Sequence, residues 1–375
     1  MSKILVYVEA WGYGGIESYL MDVFRVLSNS NYNCHFKLFS TWDSNQSYDN
    51  ELNDLGIERE VVFSGYKPNQ IVRLCDGLRK FNDILKNQHW DIVHINTMNG
   101  TGYLYAYLAK KNDVPVRIVH SHNSDVGENA KALKRIAHLL MRVFFGGNET
   151  IRLACSKEAG FHLFGKRQFH ILQNGIDTLR FKYNSNDRTK IRKKLNIPND
   201  TLLLGNPSRL SFAKNPIFQL KVFSEILRVD PTAKYVMRTE GELAQEVQDS
   251  VNELGLCKNI IFIKPMSNIE ALYSAMDVML FPSLFEGLSL MAVEAQCSGL
   301  PILSSNKVSS ETAITDLMVF ESLNQSPEVW AGRVLDLSRS RSNRSVYSSL
   351  VANAGYDRNQ STKLLYHYYK GNVMV

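Results

Sequence analysis

The chain is 375 residues long, 44% hydrophobic and 21% charged, with 43 Lys and Arg against 37 Asp and Glu, giving a formal net charge of +6. That apolar content and low charge exclude a disordered chain, and 22 Gly and 10 Pro exclude collagen-like or low-complexity architectures. A positive excess this dilute does not mark a dedicated nucleic-acid binder, and the length suits two domains that each bury a core.

In chain order, short β-branched runs alternate with longer amphipathic stretches, the pattern of βαβ units. The first half predicts strands near 4–8, 34–39, 60–63, 91–95, 116–120, 151–155 and 169–172, with helices over 17–27, 71–86, 103–111 and 130–145. The second half repeats the rhythm, with strands near 201–205, 234–238, 260–263, 277–282 and 301–304. Two parallel-sheet α/β domains follow. The seam falls in the polar, aperiodic stretch 177–187, just after the turn sequence Gln173-Asn-Gly-Ile-Asp177. Beyond Ser326 the chain reads as helix with a polar break at 338–345, and a final helix runs to Tyr369.

The first apolar run is too short for a signal peptide, and no stretch approaches the eighteen apolar residues of a membrane span. Cys34, Cys75, Cys155, Cys257 and Cys297 stand singly, without a C-x-x-C pair. Free thiols, no metal site and a cytoplasmic chain are the expectation, with at most a peripheral hold on a membrane.

The most informative segment is Asp277-Val-Met-Leu-Phe-Pro-Ser-Leu-Phe-Glu-Gly-Leu-Ser-Leu-Met-Ala-Val-Glu-Ala295. It predicts a buried strand, a tight turn at Glu286-Gly287 and a helix from about 288 to 298. A loop leaving a strand's carboxyl end and feeding a helix start is where open α/β sheets bind ligands. Free amides at Gly287, Leu288 and Ser289 favour an anion there. On a helix, the eight residues from Glu286 to Glu294 would span about 12 Å, near the length of a nucleotide-sugar from its sugar to its ribose. The simpler reading is a capping carboxylate and a solvated helix residue.

The segment resembles the E-x7-E motif of retaining glycosyltransferases of family 4. Further pieces match in the same order: Gly14-Gly15-Ile-Glu17, Asp91-Ile-Val-His-Ile95, Ile118-Val-His-Ser-His-Asn123, Gln173-Asn-Gly-Ile-Asp177 and Ser208-Arg-Leu-Ser-Phe-Ala-Lys-Asn215. The resemblance covers residues 4 to 304 and implies an α/β GT-B fold, two Rossmann-like domains facing a cleft. The implied domains are an acceptor-side unit at 1–178, a nucleotide-sugar-binding unit at 179–352, and a C-terminal helix near 353–375 returning to the first.

The implied activity is metal-independent, retaining transfer of a sugar from a UDP- or GDP-sugar to a hydroxyl of a glycan or lipid-linked glycan, as in capsule or exopolysaccharide synthesis. Glu286 would grip the donor sugar and Glu294 the ribose, while Arg209, Lys214 and the Gly287 and Leu288 amides take the diphosphate. A guanidinium and an ammonium at one strand end suit the charge of that leaving group. Two departures from the family pattern stand at Ser208 and Thr239, where the family has glycine.

In the first domain Glu17 stands where a dinucleotide fingerprint needs glycine, which disfavours a nicotinamide or flavin site. The resemblance implies that the Gly14-Gly15 turn faces the donor diphosphate, with Gly15 the backbone contact. By resemblance His120 approaches the donor sugar through hydrogen bonds rather than as a nucleophile. His122, Asn123 and Glu128 are secondary acceptor-side candidates. His-x-His lacks a third ligand, so no metal is expected. The stretch 131–145 carries Lys131, Lys134, Arg135, His138 and Arg142 without an acid. A helix with its apolar side in the core and a cationic outer face is the simpler expectation, and the same charges suit anionic lipid. Two rival functions stay open: another GT-B enzyme, such as a nucleotide-sugar epimerase, and a catalytically silent nucleotide-sugar-binding partner.

Overall fold

The computed structural model describes residues 1–12, 14–28, 30–43, 48–123, 131–266, 268–339 and 343–371, the side chains of 30 and 131–133 excepted. The chain divides into two compact units, Met1–Gly175 with Arg358–Val375, and Ile176–Asp357.

The first unit is a seven-stranded parallel sheet of β1 (Ser2–Trp11), β2 (Cys34–Asp43), β3 (Glu58–Phe63), β4 (Ile92–Thr97), β5 (Val116–Ser121), β6 (Ile151–Ala154) and β7 (His170–Ile171), ordered β3-β2-β1-β4-β5-β6-β7. Apolar runs form its central strands because both faces are covered: all six residues of β4 are buried. One face packs on Tyr19, Leu20 and Phe24 of the helix Gly15–Leu27, the other on Phe81, Tyr103 and Tyr105. The last helix, Arg358–Tyr369, belongs to this unit, its Leu365, Tyr368 and Tyr369 joining the core of Ile4, Val6 and Leu20. Arg358 pairs with Asp22 at 3.1 Å.

The second unit holds β8 (Leu203–Asn206), β9 (Lys234–Arg238), β10 (Ile260–Ile263), β11 (Val278–Phe281), β12 (Ile302–Ser305) and β13 (Met318–Glu321), in the order β10-β9-β8-β11-β12-β13. Strand β13 is not evident from the sequence, since it is four residues long and only Met318 is fully buried. Gly205 lets β8 lie close to its neighbours, because a Cβ there would stand 2.6 Å from the Met276 sulfur and 2.8 Å from the Val236 carbonyl oxygen.

The polar stretch read as the seam folds into the second unit. Asn184 caps the helix Ser185–Lys194, and the buried Arg192 donates to the Ala275 and Thr201 carbonyls and to Asp277 at 3.0, 2.9 and 2.6 Å. The units divide at 175/176 and 357/358. In both sheets the strand order reverses beside the first strand, between β1 and β4 and between β8 and β11, and the carboxyl ends there form the crevice in which such sheets hold ligands.

Candidate active site

In the second unit, Asn206 at the end of β8 ties the switch point together. Its side chain donates to the Leu280 carbonyl on β11 at 2.9 Å and accepts from the Ser208 amide at 3.1 Å. Ser208, which replaces a family glycine, is 3% exposed and so fits the loop without opening it. Arg209 follows, exposed on the loop, with no ion pair among the described residues. The loop is braced by the segment after β9: Leu210 donates to the Glu240 carbonyl at 2.8 Å, Leu243 to the Leu210 carbonyl at 3.0 Å, and the Phe212 amide to Glu242 at 2.9 Å. Gly241 is required by this contact. Its φ is +149°, and a Cβ would lie 2.1 Å from the Leu210 carbonyl oxygen. Thr239, the other departure, is exposed, and its amide bonds the Ile263 carbonyl at 3.0 Å.

Lys214 sits on a single 3₁₀ turn, Phe212–Lys214, and the long helix Pro216–Val229 begins only after Asn215 in a left-handed conformation. Its ammonium bonds the Glu286 carboxylate and lies 5.0 Å from the centre of the Phe281 ring. Both side chains are about one-fifth exposed, at 17% and 22%. Leu284 donates to the Ala213 carbonyl at 2.8 Å, so the loops after β8 and β11 are joined by backbone as well.

The helix after β11 begins later than its sequence predicts. It runs Leu290–Cys297 with Ser289 as N-cap and no side-chain cap. Glu286 is therefore not on a helix, and the 12 Å helical span does not apply. Its backbone pairs with Val308 in an isolated bridge, and its carbonyl accepts from Ser309 at 3.1 Å. Gly287 and Leu288 lie in the bend before the helix, where the Gly287 carbonyl accepts from Thr312 at 3.3 Å. Glu294 is half-buried rather than solvated and accepts from the Tyr273 hydroxyl at 3.0 Å. Burial, reinforced by Glu294, raises the Tyr273 pKa well above its ordinary value and keeps it a donor. Asn206 and Tyr273 were not anticipated, for their roles depend on strand neighbours and on a helix twenty residues away.

In the first unit, Gly15 opens the helix Gly15–Leu27. A Cβ at Gly14 would lie 2.5 Å from a Glu17 carboxylate oxygen, so this acid folds back over the helix start, where negative charge is favoured. His120, the next-to-last residue of β5, is fully buried, with Tyr19 edge-on to its ring at 5.6 Å. Its Nδ1 faces His94 Nε2 at 3.4 Å, while its Nε2 has no hydrogen-bond partner among the described residues. His94 Nδ1 meets the Tyr369 hydroxyl at 2.8 Å. His122 Nε2 meets Asn96 at 2.9 Å, and its Nδ1 faces Asn174 at 3.4 Å.

Burial lowers the pKa of His94 and of His122 to about 3. Burial, then the neighbouring His122 and His94, holds His120 well below 6.5 against a Leu172 backbone contact acting the other way. All three are neutral imidazoles near pH 7. Asn123 is half-buried, and Glu128 lies outside the described residues. Beyond His120 and His122, the cluster members His94 and Asn174 carried a sequence signal inside the Asp91–Ile95 and Gln173–Asp177 motifs, and Tyr369 carried none. Among the described residues no group of three His, Cys, Asp or Glu stands together as a metal site.

The helix Lys131–Phe145 departs from expectation. Its buried side holds His138, while Ile136, Leu139, Leu140, Val143 and Phe144 are exposed. The apolar stripe faces outward, and Arg142 is half-buried beside Gly165. Among the described residues no helix is long and apolar enough to cross a membrane.

Residues 13–180 match the family model for Glycosyltransferase Family 4, and residues 187–347 that for Glycosyl transferases group 1. The chain is a glycosyltransferase. The glycosyltransferase is 28% identical over 98% of its length to EpsF of Bacillus subtilis (strain 168), itself named a glycosyltransferase, of which 96% is covered. It is 23% identical over the full length of both chains to the capsular polysaccharide biosynthesis glycosyltransferase CapH of Staphylococcus aureus. Anabaena HepE, solved with UDP-glucose, shares 17% identity at a TM-score of 0.75 over 99% of this chain and 100% of that one. The fold of the glycosyltransferase is GT-B.

Proposed function

We propose that this glycosyltransferase moves a sugar from a UDP- or GDP-sugar to a hydroxyl of a glycan or lipid-linked glycan, with retention and without a metal ion, in the synthesis of a surface polysaccharide. The observation that carries the reading is the bond between Lys214 and Glu286, which joins the loops leaving the carboxyl ends of β8 and β11 next to a helix start without a side-chain cap. The UDP-glucose complex of Anabaena HepE and the capsular role in the name of CapH support it.

Arg209 and Lys214 take the charge that grows on the diphosphate as the glycosidic bond breaks, together with the amides of Gly287 and Leu288. Glu286 accepts hydrogen bonds from sugar hydroxyls, and Glu294, steadied by Tyr273, from the ribose. The acceptor hydroxyl attacks from the leaving-group face and its proton passes to the departing phosphate oxygen. His120 hydrogen-bonds the donor sugar. Gly15 contacts the diphosphate through its amide once the Glu17 carboxylate turns aside.

The outward stripe of the helix 131–145 supports a peripheral contact with anionic lipid at the inner face of the membrane. Exposed Leu140, Val143 and Phe144 enter the interface, and Lys134 and Arg135 meet lipid phosphates.

A thermal-shift screen of UDP- and GDP-sugars tests the donor assignment. A bound donor at a hundred times its Kd adds roughly 2.7 kcal/mol of stability, a shift easily read. One nucleotide-sugar class is expected to stabilise the protein, and no stabilisation by any of them contradicts the assignment.

A further inference from the structure

The C-terminal helix reaches the histidine cluster through one hydroxyl. Among the described residues the hydrogen-bond partner of the buried Tyr369 hydroxyl is His94 Nδ1, at 2.8 Å. A buried hydroxyl with that partner directs its proton there, since an unmade buried hydrogen bond is costly. His94 is a neutral imidazole, so its own proton then sits on Nε2, which faces His120 Nδ1 at 3.4 Å. That nitrogen is the acceptor, and the His120 proton is left on Nε2. Among the described residues this Nε2 is buried without a hydrogen-bond partner that meets the geometry of one, on a residue that is 0% exposed and whose ring also lies by the Leu172 backbone. Which nitrogen of a histidine carries the proton is set by the bond its other nitrogen makes.

We infer that Tyr369 is a positioning residue that, through His94, fixes His120 as the tautomer presenting Nε2–H, so that His120 serves the reaction as a hydrogen-bond donor and not as a base. The inference rests on the proposed placement of His120 at the donor sugar. A neutral donor held this way strengthens its bond to an oxygen as negative charge gathers there, without taking the acceptor's proton. His122 gains the same tautomer from a separate anchor. Asn96 donates to the Tyr7 carbonyl at 3.3 Å, which orients its amide so that its oxygen receives His122 Nε2–H.

The test is the nitrogen spectrum of the histidine rings in the full chain labelled at histidine, read beside steady-state rates. The wild type is expected to show His120 with a protonated Nε2 and a bare Nδ1. In Tyr369→Phe, His94 and His120 should populate both tautomers, kcat should fall roughly tenfold and the donor KM should stay unchanged, the loss of about one hydrogen bond felt in the transition state. His94→Leu breaks the relay in its middle without altering the C-terminal helix and should give the same change at His120.

His122, anchored on Asn96, is the internal reference and should not move. The relay is overturned if His120 keeps its Nε2–H signature in both variants, if its proton is on Nδ1 in the wild type, or if His122 changes in step with it. The placement of His120 at the sugar fails separately, if His120→Ala retains wild-type turnover while the tautomer result stands.

Discussion

The Lys214 ammonium bonds the Glu286 carboxylate, joining the loop after β8 to the loop after β11. Two groups that resemblance assigns to different parts of the donor, diphosphate and sugar, thus hold each other. Removing either one strands a half-buried charge. Their effects on donor affinity should therefore be non-additive, with a coupling of roughly 0.5–3 kcal/mol in a cycle of Lys214→Ala, Glu286→Gln and the double variant. Calorimetric donor titrations that add within about 0.3–0.5 kcal/mol would show the pair to be incidental.

Tyr273 and Glu294 give a second separation. The Tyr273 hydroxyl fixes one carboxylate oxygen of Glu294 from a buried position. Tyr273→Phe should weaken donor binding by the worth of one hydrogen bond to a charged group, roughly 1.5–3 kcal/mol, with kcat little changed. Glu294→Ala should act in the same direction and more strongly, whereas Arg209→Ala should lower kcat. Donor KM and kcat measured for all three variants decide whether ribose binding and leaving-group stabilisation are divided in this way.

The neutral histidines make stability depend on acid. The folded pKa of His94 is depressed from 6.5 to about 3 and that of His120 also lies well below 6.5. Between these values the unfolded chain binds the protons, so the stabilisation is full above pH 6.5 and is lost as pH falls toward 3. Each such group steepens the fall by about 1.4 kcal/mol per pH unit. Urea midpoints of wild type and His120→Asn at several pH values in this window should show a shallower acid slope in the variant. Equal slopes would remove His120 from the acid response.

The outward stripe of the helix 131–145 makes a prediction about membranes. Leu140→Glu with Phe144→Glu alters two residues that are 49% and 72% exposed, so the fold should persist while binding to anionic vesicles drops. Pelleting with liposomes of anionic and of neutral lipid, at low and at raised salt, reads both the apolar and the charged contribution. Retention of the variant on anionic vesicles would count against this surface.

Much of the fold is legible because strands buried on both faces must be apolar runs, and twelve of them stand out between amphipathic helices. Strand β13 escapes because Met318–Glu321 is four residues long and partly open. The helix start after β11 is misjudged by two residues, since the backbone bridge of Glu286 to Val308 and the N-cap at Ser289 depend on a chain segment that arrives later. Local pattern shows His120 and His122 as neighbours of a strand end. It cannot show Tyr369, which reaches His94 from 275 residues away. Helical periodicity also marks the helix Lys131–Phe145 as amphipathic, yet it cannot say which face the rest of the chain leaves bare.

The central claim is retaining transfer from a nucleotide-sugar, assisted by Arg209 and Lys214 in place of a metal ion. Its most direct measurement is a proton spectrum of the product formed from the donor selected by thermal shift, with a lipid-linked glycan acceptor, in excess EDTA. A new glycosidic linkage with the anomeric configuration of the donor, lost in Arg209→Ala, is the predicted result. An inverted linkage, transfer that stops in EDTA, or a donor sugar epimerised without acceptor would contradict it.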